Sequence, residues 1–360
     1  MRAVPVRSRA DLRDFLDLPL RLHPRDRYVP VPRPTVARHR RTAQFFLVRD
    51  LAGRAVGRIA THRDAAFDAK AGPRQLFGHA EFTDDDAVFT ALTDVVTRQA
   101  GGRALFGPVG LLPNQTGGVI TGGFGERGFV DSAWNPGYYP AMYERHGFTR
   151  RFEADTWIVP VRPASSPTPG AGWEIRHGSR RRLREQLPIL REMLNASFAQ
   201  LGYYTEISAA QLAEQTDGLA YLLDEGLLLW LEKDGRPVAF VIAVPDISAF
   251  LMRTGGRLGP VEQLRLLATR ARYRRDAVLV VKGVVPGEQG RGHMTLLSRE
   301  LHRHLAAAGY RALRSTFVER DNAASAASYR SAGGRELHGY TFYERGAALP
   351  GSEAGRRGAA

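Results

Sequence analysis

The residues best placed to do chemistry lie together near the start of the last quarter of the chain. Ala277-Val-Leu-Val-Val-Lys-Gly-Val-Val285 is apolar and β-branched, the pattern of a buried strand. It runs into Pro286-Gly-Glu-Gln289-Gly290-Arg291-Gly292-His293-Met294. An amphipathic helix follows to about Ala308, with Leu296, Leu297, Leu301 and Leu305 on one face. A strand, a glycine-rich turn and a helix start make an anion site, because N–H groups converge there and the helix dipole adds partial positive charge. Glycine lets such a backbone approach an anion closely or take positive φ, and Arg291 can add a charge-assisted bond. No Gly-Lys-Ser/Thr follows, so this is no Walker loop, and the GxGxxG spacing of a dinucleotide fold is absent. An ordinary strand-to-helix loop would look the same, so the turn alone does not name its ligand.

Composition narrows what can happen there. The 360 residues include no cysteine, which removes disulfides, thiolate metal sites and a cysteine nucleophile. No serine sits in a nucleophile elbow, so a covalent acyl-enzyme is not expected. His302 and His304 leave a helix on different faces, no histidine pair falls in a metal motif, and no metal is expected. The net charge is +14, yet lysine occurs only as Lys70, Lys233 and Lys282, so arginine supplies the rest. The densest runs, Arg180–Arg184 and Arg270–Arg275, lack the interleaved aromatics of a single-strand platform and read as solvated helix faces. Nucleic acid is therefore not the expected partner. The same charge suits the phosphates of a nucleotide, or an acidic carrier or peptide, through long-range steering. The basic N-terminus has no apolar h-region and no long apolar run occurs, so a soluble cytoplasmic protein without a membrane partner is expected.

The elements that must position the turn repeat along the chain. Asp50-Leu-Ala-Gly53-Arg54-Ala-Val56 matches Asp234-Gly235-Arg236-Pro-Val238, each reading as a hairpin turn between strands. Arg103-Ala-Leu105 and Arg311-Ala-Leu313 each open a strand after a helical stretch. Tyr143-Glu-Arg-His-Gly147 matches Tyr329-Arg-Ser-Ala-Gly333, a helix ending at glycine before an alternating strand. Two copies of one α+β unit are expected, with a mixed sheet flanked by helices. The Pro-, Ser- and Gly-rich stretch 161–172 reads as a linker between domains 1–160 and 173–346, and 347–360 as a disordered tail.

Gln289-x-x-Gly292 at the turn, Asn322 after the next strand and Tyr329 followed by Gly333 resemble the acetyl-CoA half of the GNAT superfamily. Met294 stands where the family's turn has Gly or Ala. From about residue 5 to 345 the chain also resembles bacterial two-domain GNAT-like proteins, through Val56-Gly-Arg-Ile-Ala60, Phe77-Gly-His-Ala-Glu81-Phe82 and Trp134-Asn-Pro-Gly-Tyr-Tyr139. The resemblance implies an N-acyltransferase using acetyl-CoA or a longer acyl-CoA. It places the pantetheine arm along Gly283, Val284 and Val285, with a thioester-polarising N–H from Val284 or Val285. The pyrophosphate falls on Gly290, Arg291, Gly292, His293 and Met294, assisted by Gln289 and Asn322. Tyr329 becomes the proton donor to the departing thiolate. For the base, family-like placement offers Glu206, Asp246 and Glu319, and a water chain would also serve. Glu206 comes first because it follows Tyr203-Tyr204 in the region expected to wall the acceptor pocket.

In the first copy, Thr83-Asp84-Asp85-Asp86 replaces the glycine-rich turn. Carboxylates at a helix start already satisfy the dipole and repel a pyrophosphate, so this copy is not expected to bind CoA. Gly117–Gly128 and Trp134–Tyr139 form an insert read as a packed loop. The expected activity is direct acyl transfer to the amine of a small molecule or peptide. An acyl carrier protein as donor, or a non-catalytic CoA- or peptide-binding module, are the alternatives.

Overall fold

The computed structural model describes residues 1–110, 117–165, 167–216 and 224–346. In chain order the elements are β1 (Ala3–Pro5), α1 (Arg9–Leu22), α2 (Arg33–His39), β2 (Gln44–Arg49), β3 (Ala55–His62), α3 (Ala65–Ala71), β4 (Arg74–Phe82) and α4 (Asp86–Ala100). Next come β5 (Ala104–Gly107), β6 (Val119–Gly122), α5 (Tyr138–Arg145) and β7 (Thr149–Pro160). The second repeat holds β8 (Trp173–His177), α6 (Leu183–Phe198), α7 (Ala209–Thr216), β9 (Leu228–Lys233), β10 (Arg236–Pro245), α8 (Ser248–Thr254) and α9 (Pro260–Ala268). It continues with β11 (Asp276–Val284), α10 (His293–Ala307), β12 (Ala312–Ser315), β13 (Val318–Glu319), α11 (Ala323–Ser331) and β14 (Arg335–Arg345). The stretch read as a linker carries no helix or strand in its described part, and the tail 347–360 lies outside the described residues. No described helix is long and apolar enough to cross a membrane.

The compact units are not consecutive halves. One comprises Met1–Gly128, Ser132–Glu153 and the chain from Tyr340 on; the other comprises Phe129–Asp131 and Ala154–Gly339. Each takes its closing strand from the far repeat. In the first unit, Tyr343, Glu344 and Arg345 of β14 pair antiparallel with β5. In the second, Ile158, Val159 and Pro160 of β7 pair antiparallel with β12. The sheet order is β1-β2-β3-β4-β5-β14 in the first and β7-β12-β11-β10-β9-β8 in the second. The pairs β4–β5 and β11–β12 are parallel, as a strand–helix–strand crossover requires.

Local chemistry explains the elements. Asp234 and Gly235 both take positive φ, giving the two-residue turn whose twist suits a hairpin between β9 and β10. In the first unit Asp50 Oδ1 instead accepts the N–H groups of Ala52 and Arg54, and Gly53 takes φ +79. The α4 helix buries Val88, Phe89, Leu92 and Val96 against the first core. The α10 helix buries Leu297, Leu301 and Leu305 against the second. At about 25 cal/mol per Å² of apolar area, each leucine so buried contributes roughly 2 kcal/mol.

Candidate active site

All the sequence-selected site residues fall within the second unit. Its centre is β11, which pairs with β12 only from Asp276↔Ala312 to Leu279↔Ser315. There Thr316 turns away, donating its N–H to Leu279 O at 3.1 Å and its hydroxyl to Val280 O at 2.8 Å. Opposite β10, the register shifts where Val281 pairs with Ile242 but Leu279 pairs with Ala243, so Val280 is a bulge residue. Past the bulge β11 continues to Val284, and among the described residues no strand pairs with its edge on the β12 side.

Antiparallel pairing alternates which residues bond the partner strand. Val285 N–H donates to Val238 O at 2.9 Å, so the alternation directs the backbone groups of Val284 and Lys282 to the open edge. This corrects one expectation. Val285 cannot supply the polarising N–H because β10 already holds it, whereas the Val284 N–H faces the open side. The Val284 carbonyl accepts from Gln289 Nε2 at 3.2 Å, so the Gln289 side chain buttresses the turn. Gly283 faces the other way: a Cβ there would lie 2.8 Å from Ser197 and from Phe240.

The turn has the geometry expected of an anion site. Gly290 and Gly292 take φ +75 and +82, and nothing lies within 4 Å of where their side chains would start. Thr295 and Leu296 donate to Gly292 O, and no side chain caps α10. Among the described residues, the N–H groups of Gly290, Arg291, Gly292, His293 and Met294 have no hydrogen-bond partner. A helix start without partners is a site waiting for an acceptor.

The side chains around the turn are more occupied than the backbone. Glu288 Oε2 lies 2.9 Å from His293 Nε2 and 3.4 Å from Arg291, and Glu288 Oε1 is 3.8 Å from Lys233. The His293 hydrogen bond, aided by Arg291 and Lys233, holds the Glu288 carboxyl below its ordinary range. The His293 ring packs on Trp173 with centroids 4.5 Å apart. Met294 packs against the core, so this departure from the family turn does not crowd the glycines.

At the other end of the open edge stands Tyr329, 6% exposed, its ring stacked on Trp157. Its hydroxyl neighbours Ser315, whose Oγ accepts the Trp157 backbone N–H at 3.0 Å. Burial pushes the Tyr329 hydroxyl well above the ordinary phenol range, with Ser315 opposing it. Lys282, which the sequence did not single out, places Nζ 4.2 Å from the Tyr329 ring centroid. Asn322 caps α11, its Oδ1 accepting the Ser325 N–H at 3.0 Å.

The three carboxylates considered as bases fare differently. Asp246 is buried, accepting from the Ser248 N–H and hydroxyl and lying 3.5 Å from Arg314 Nε. That is a structural knot. Glu319 takes the Tyr203 hydroxyl as a partner. Glu206 is exposed, in a loop pinned where Asn195 Oδ1 accepts from the Tyr204 hydroxyl at 2.8 Å and from the Ile207 N–H at 2.9 Å.

One cluster escaped the sequence reading. His177, Glu300 and His304 bring possible metal-ligating atoms within 4.8 Å of one another. Arg303 already supplies a cation there, donating to both Glu300 oxygens at 2.7 and 2.9 Å and lying 2.9 Å from His304 Nε2. His302, the partner weighed for His304 from sequence, takes no part. Only folding brings His177 from β8 beside α10.

The first unit closes its own helix start. Asp85 caps α4, accepting from the Ala87 and Val88 N–H groups, so the acidic turn serves its own helix. Beside β4, Val109 donates its N–H to Phe77 O at 2.8 Å. A Cβ on Gly78 would fall 1.7 Å from Val109 O. The chain's own backbone thus packs against β4 at Gly78, so only a glycine fits there. Tyr143, the counterpart of Tyr329, stacks on Tyr343 in the core. The insert is packed as expected in its described part, with Asn135 bonding both the N–H and the carbonyl of Ile120; residues 111–116 lie outside the described residues.

No family model matches the chain. It is 25% identical to Bacterial ceramide synthase of Caulobacter vibrioides, covering 96% of this chain and 97% of that one. It is also 25% identical to Protein YghO of Escherichia coli, over 60% of this chain and 58% of that protein. Among solved structures, a tandem GNAT protein from the clavulanic acid biosynthesis pathway matches with TM-score 0.60 and 15% identity, covering 97% and 99% of the two chains. A GCN5-related N-acetyltransferase from Sphaerobacter thermophilus matches with TM-score 0.52 and 12% identity, over 85% of this chain and 82% of that one. These likenesses show the fold: two GNAT-like copies in tandem.

Proposed function

We propose that this chain, built on a tandem GNAT fold, is an N-acyltransferase whose second copy binds an acyl-CoA and passes the acyl group directly to an amine. The observation that carries the reading is the run of unpartnered N–H groups from Gly290 to Met294. It opens the 15-residue helix α10 and adjoins the strand edge that β12 leaves bare. Helix starts of this kind hold phosphates, and an open strand edge takes an extended arm as an added strand. The pyrophosphate would rest on the turn, and the pantetheine would run along Lys282–Val284. The Val284 N–H would polarise the thioester carbonyl, as a fixed donor in a half-dry site does.

The acceptor nitrogen must be neutral to attack. Exposed Glu206, directly or through water, is the candidate to take its proton. Attack on the carbonyl carbon forms the C–N bond, and collapse of the adduct breaks the C–S bond. For the acceptor, the name of the full-length relative, a ceramide synthase, favours a long-chain lipid amine and a long acyl donor. A small-molecule or peptide amine is the other class. A second reading, with an acyl carrier protein as donor, draws on the net charge of +14, which suits an acidic partner.

The test is thiol release from short, medium and long acyl-CoAs offered with a sphingoid base, a small amine or a peptide. Amine-dependent release with one acceptor class supports the proposal. Release only from acylated carrier protein favours the second reading. CoA binding without release under any pairing overturns both in favour of a non-catalytic module.

A further inference from the structure

Lys282 lies on β11 just past the Val280 bulge, on the stretch that β12 no longer covers. Side chains alternate along a strand, so it leaves the face opposite Gly283 and shares that of Val284, which packs in the Tyr329 cluster. Its Nζ sits 4.2 Å from the Tyr329 ring centroid, within cation–π range. Among the described residues no carboxylate pairs with it. Burial brings the amine from 10.5 down to about 8. The residue is half-buried rather than sealed, so the amine is within reach of a bound group.

A cation taken partly out of water without a counter-ion costs free energy that simple packing does not require, since a methionine fills similar space. The charge is compensated if the anion comes with the ligand. Among the proposed substrate's atoms, the sulfur that leaves as a thiolate is the anion formed at the end of the pantetheine arm.

We propose that Lys282 gives the proton to the departing thiolate. This rests on the acyl-CoA reading above and moves a role from the Tyr329 hydroxyl to the amine held on its ring. As the adduct collapses, the C–S bonding pair leaves on sulfur and the Lys282 ammonium transfers one proton to it. The neutral amine regains a proton equivalent to the one the acceptor nitrogen has lost, so the reaction is balanced with no outside reagent. An amine near 8 is closely matched to a thiol at about 8.5, the condition under which proton transfer is most effective. The Tyr329 hydroxyl, raised by burial and beside Ser315, is a poor match.

The experiment compares wild type, Lys282→Met and Lys282→Arg with two acyl donors: an alkyl thioester and a nitrothiophenyl thioester, whose thiolate needs no proton to leave. CoA titration of each protein runs alongside as the check on folding and binding. The expected result for Lys282→Met is a loss of about 100-fold with the alkyl donor and less than about 3-fold with the aryl donor, the span of one general acid. Lys282→Arg should behave like Lys282→Met, because arginine keeps the charge and the ring contact but cannot give up its proton. An equal loss with both donors, or rescue by arginine, overturns the role while leaving acyl transfer intact. Wild-type protein that binds CoA but transfers from neither donor defeats the acyltransferase reading itself.

Discussion

Lys282 and Tyr329 are joined face to amine: Nζ lies 4.2 Å from the ring centroid, while the tyrosine hydroxyl has Ser315 as its neighbour and burial holds it above the ordinary phenol range. The two ends of Tyr329 therefore have different duties, and they can be separated. Tyr329→Phe keeps the ring and removes the hydroxyl, so transfer should fall by less than about 5-fold, short of the span of a lost general acid. Steady-state kcat with acyl-CoA checks this, and a 100-fold loss would return the acid role to the phenol.

The same pair carries a stability signature. In the unfolded chain the lysine holds its proton up to about 10.5, in the folded chain only to about 8. Between those values the unfolded state binds more protons, so stability from this group rises with pH across that window and its penalty is complete below it. Lys282→Met should raise the melting temperature at pH 7, with the gain shrinking toward pH 10.5. Thermal melts of both proteins at pH 7 and pH 10 read the difference.

Glu288 tempers the turn by pairing with His293, Arg291 and Lys233. Replacing it with glutamine keeps the shape and removes one negative charge beside the helix start. CoA affinity should rise about 3-fold at low salt, the scale of a single charge at a helix terminus, and the gain should fade as salt screens it. Calorimetric titrations of Glu288→Gln at two ionic strengths provide the measurement.

Removing the acidic turn of the first unit should not create a second site. Asp84→Asn with Asp86→Asn spares the Asp85 cap, so the first N–H groups of α4 stay occupied by the chain's own carboxylate and no glycine-rich turn precedes them. Stoichiometry should remain one CoA per chain. Two would show that charge alone kept the ligand out.

Much of this was legible from residues. A β-branched run, spaced glycines and a leucine face mark β11, the turn and α10, because burial and backbone freedom leave direct traces in residue type. The Asp234-Gly235 turn and the acidic start of α4 are equally local. What stayed hidden depends on partners far along the chain. Alternation does not say that Ala154–Pro160 closes one unit and Tyr340–Arg345 the other. The bulge at Val280 resets which β11 residues share a face, so the Lys282–Tyr329 contact has no periodic signature. Its one sequence trace is a lysine inside an apolar strand. The loss of the Val285 N–H to Val238, and the arrival of His177 beside Glu300, likewise appear only once strands are paired and packed.

The most direct test is calorimetric titration with CoA and acetyl-CoA of wild type, Gly292→Glu and Thr295→Glu. Gly292→Glu puts a carboxylate at a position of φ +82 amid the free N–H groups. Thr295→Glu adds one at the exposed first turn of α10, where acidic residues favour the helix and the fold is retained. The expected result is one site per wild-type chain and at least about a 10-fold loss of affinity in both variants, or roughly 1.4 kcal/mol. Undiminished binding in both variants would place the nucleotide elsewhere and contradict the assignment of the second copy as the acyl-CoA site.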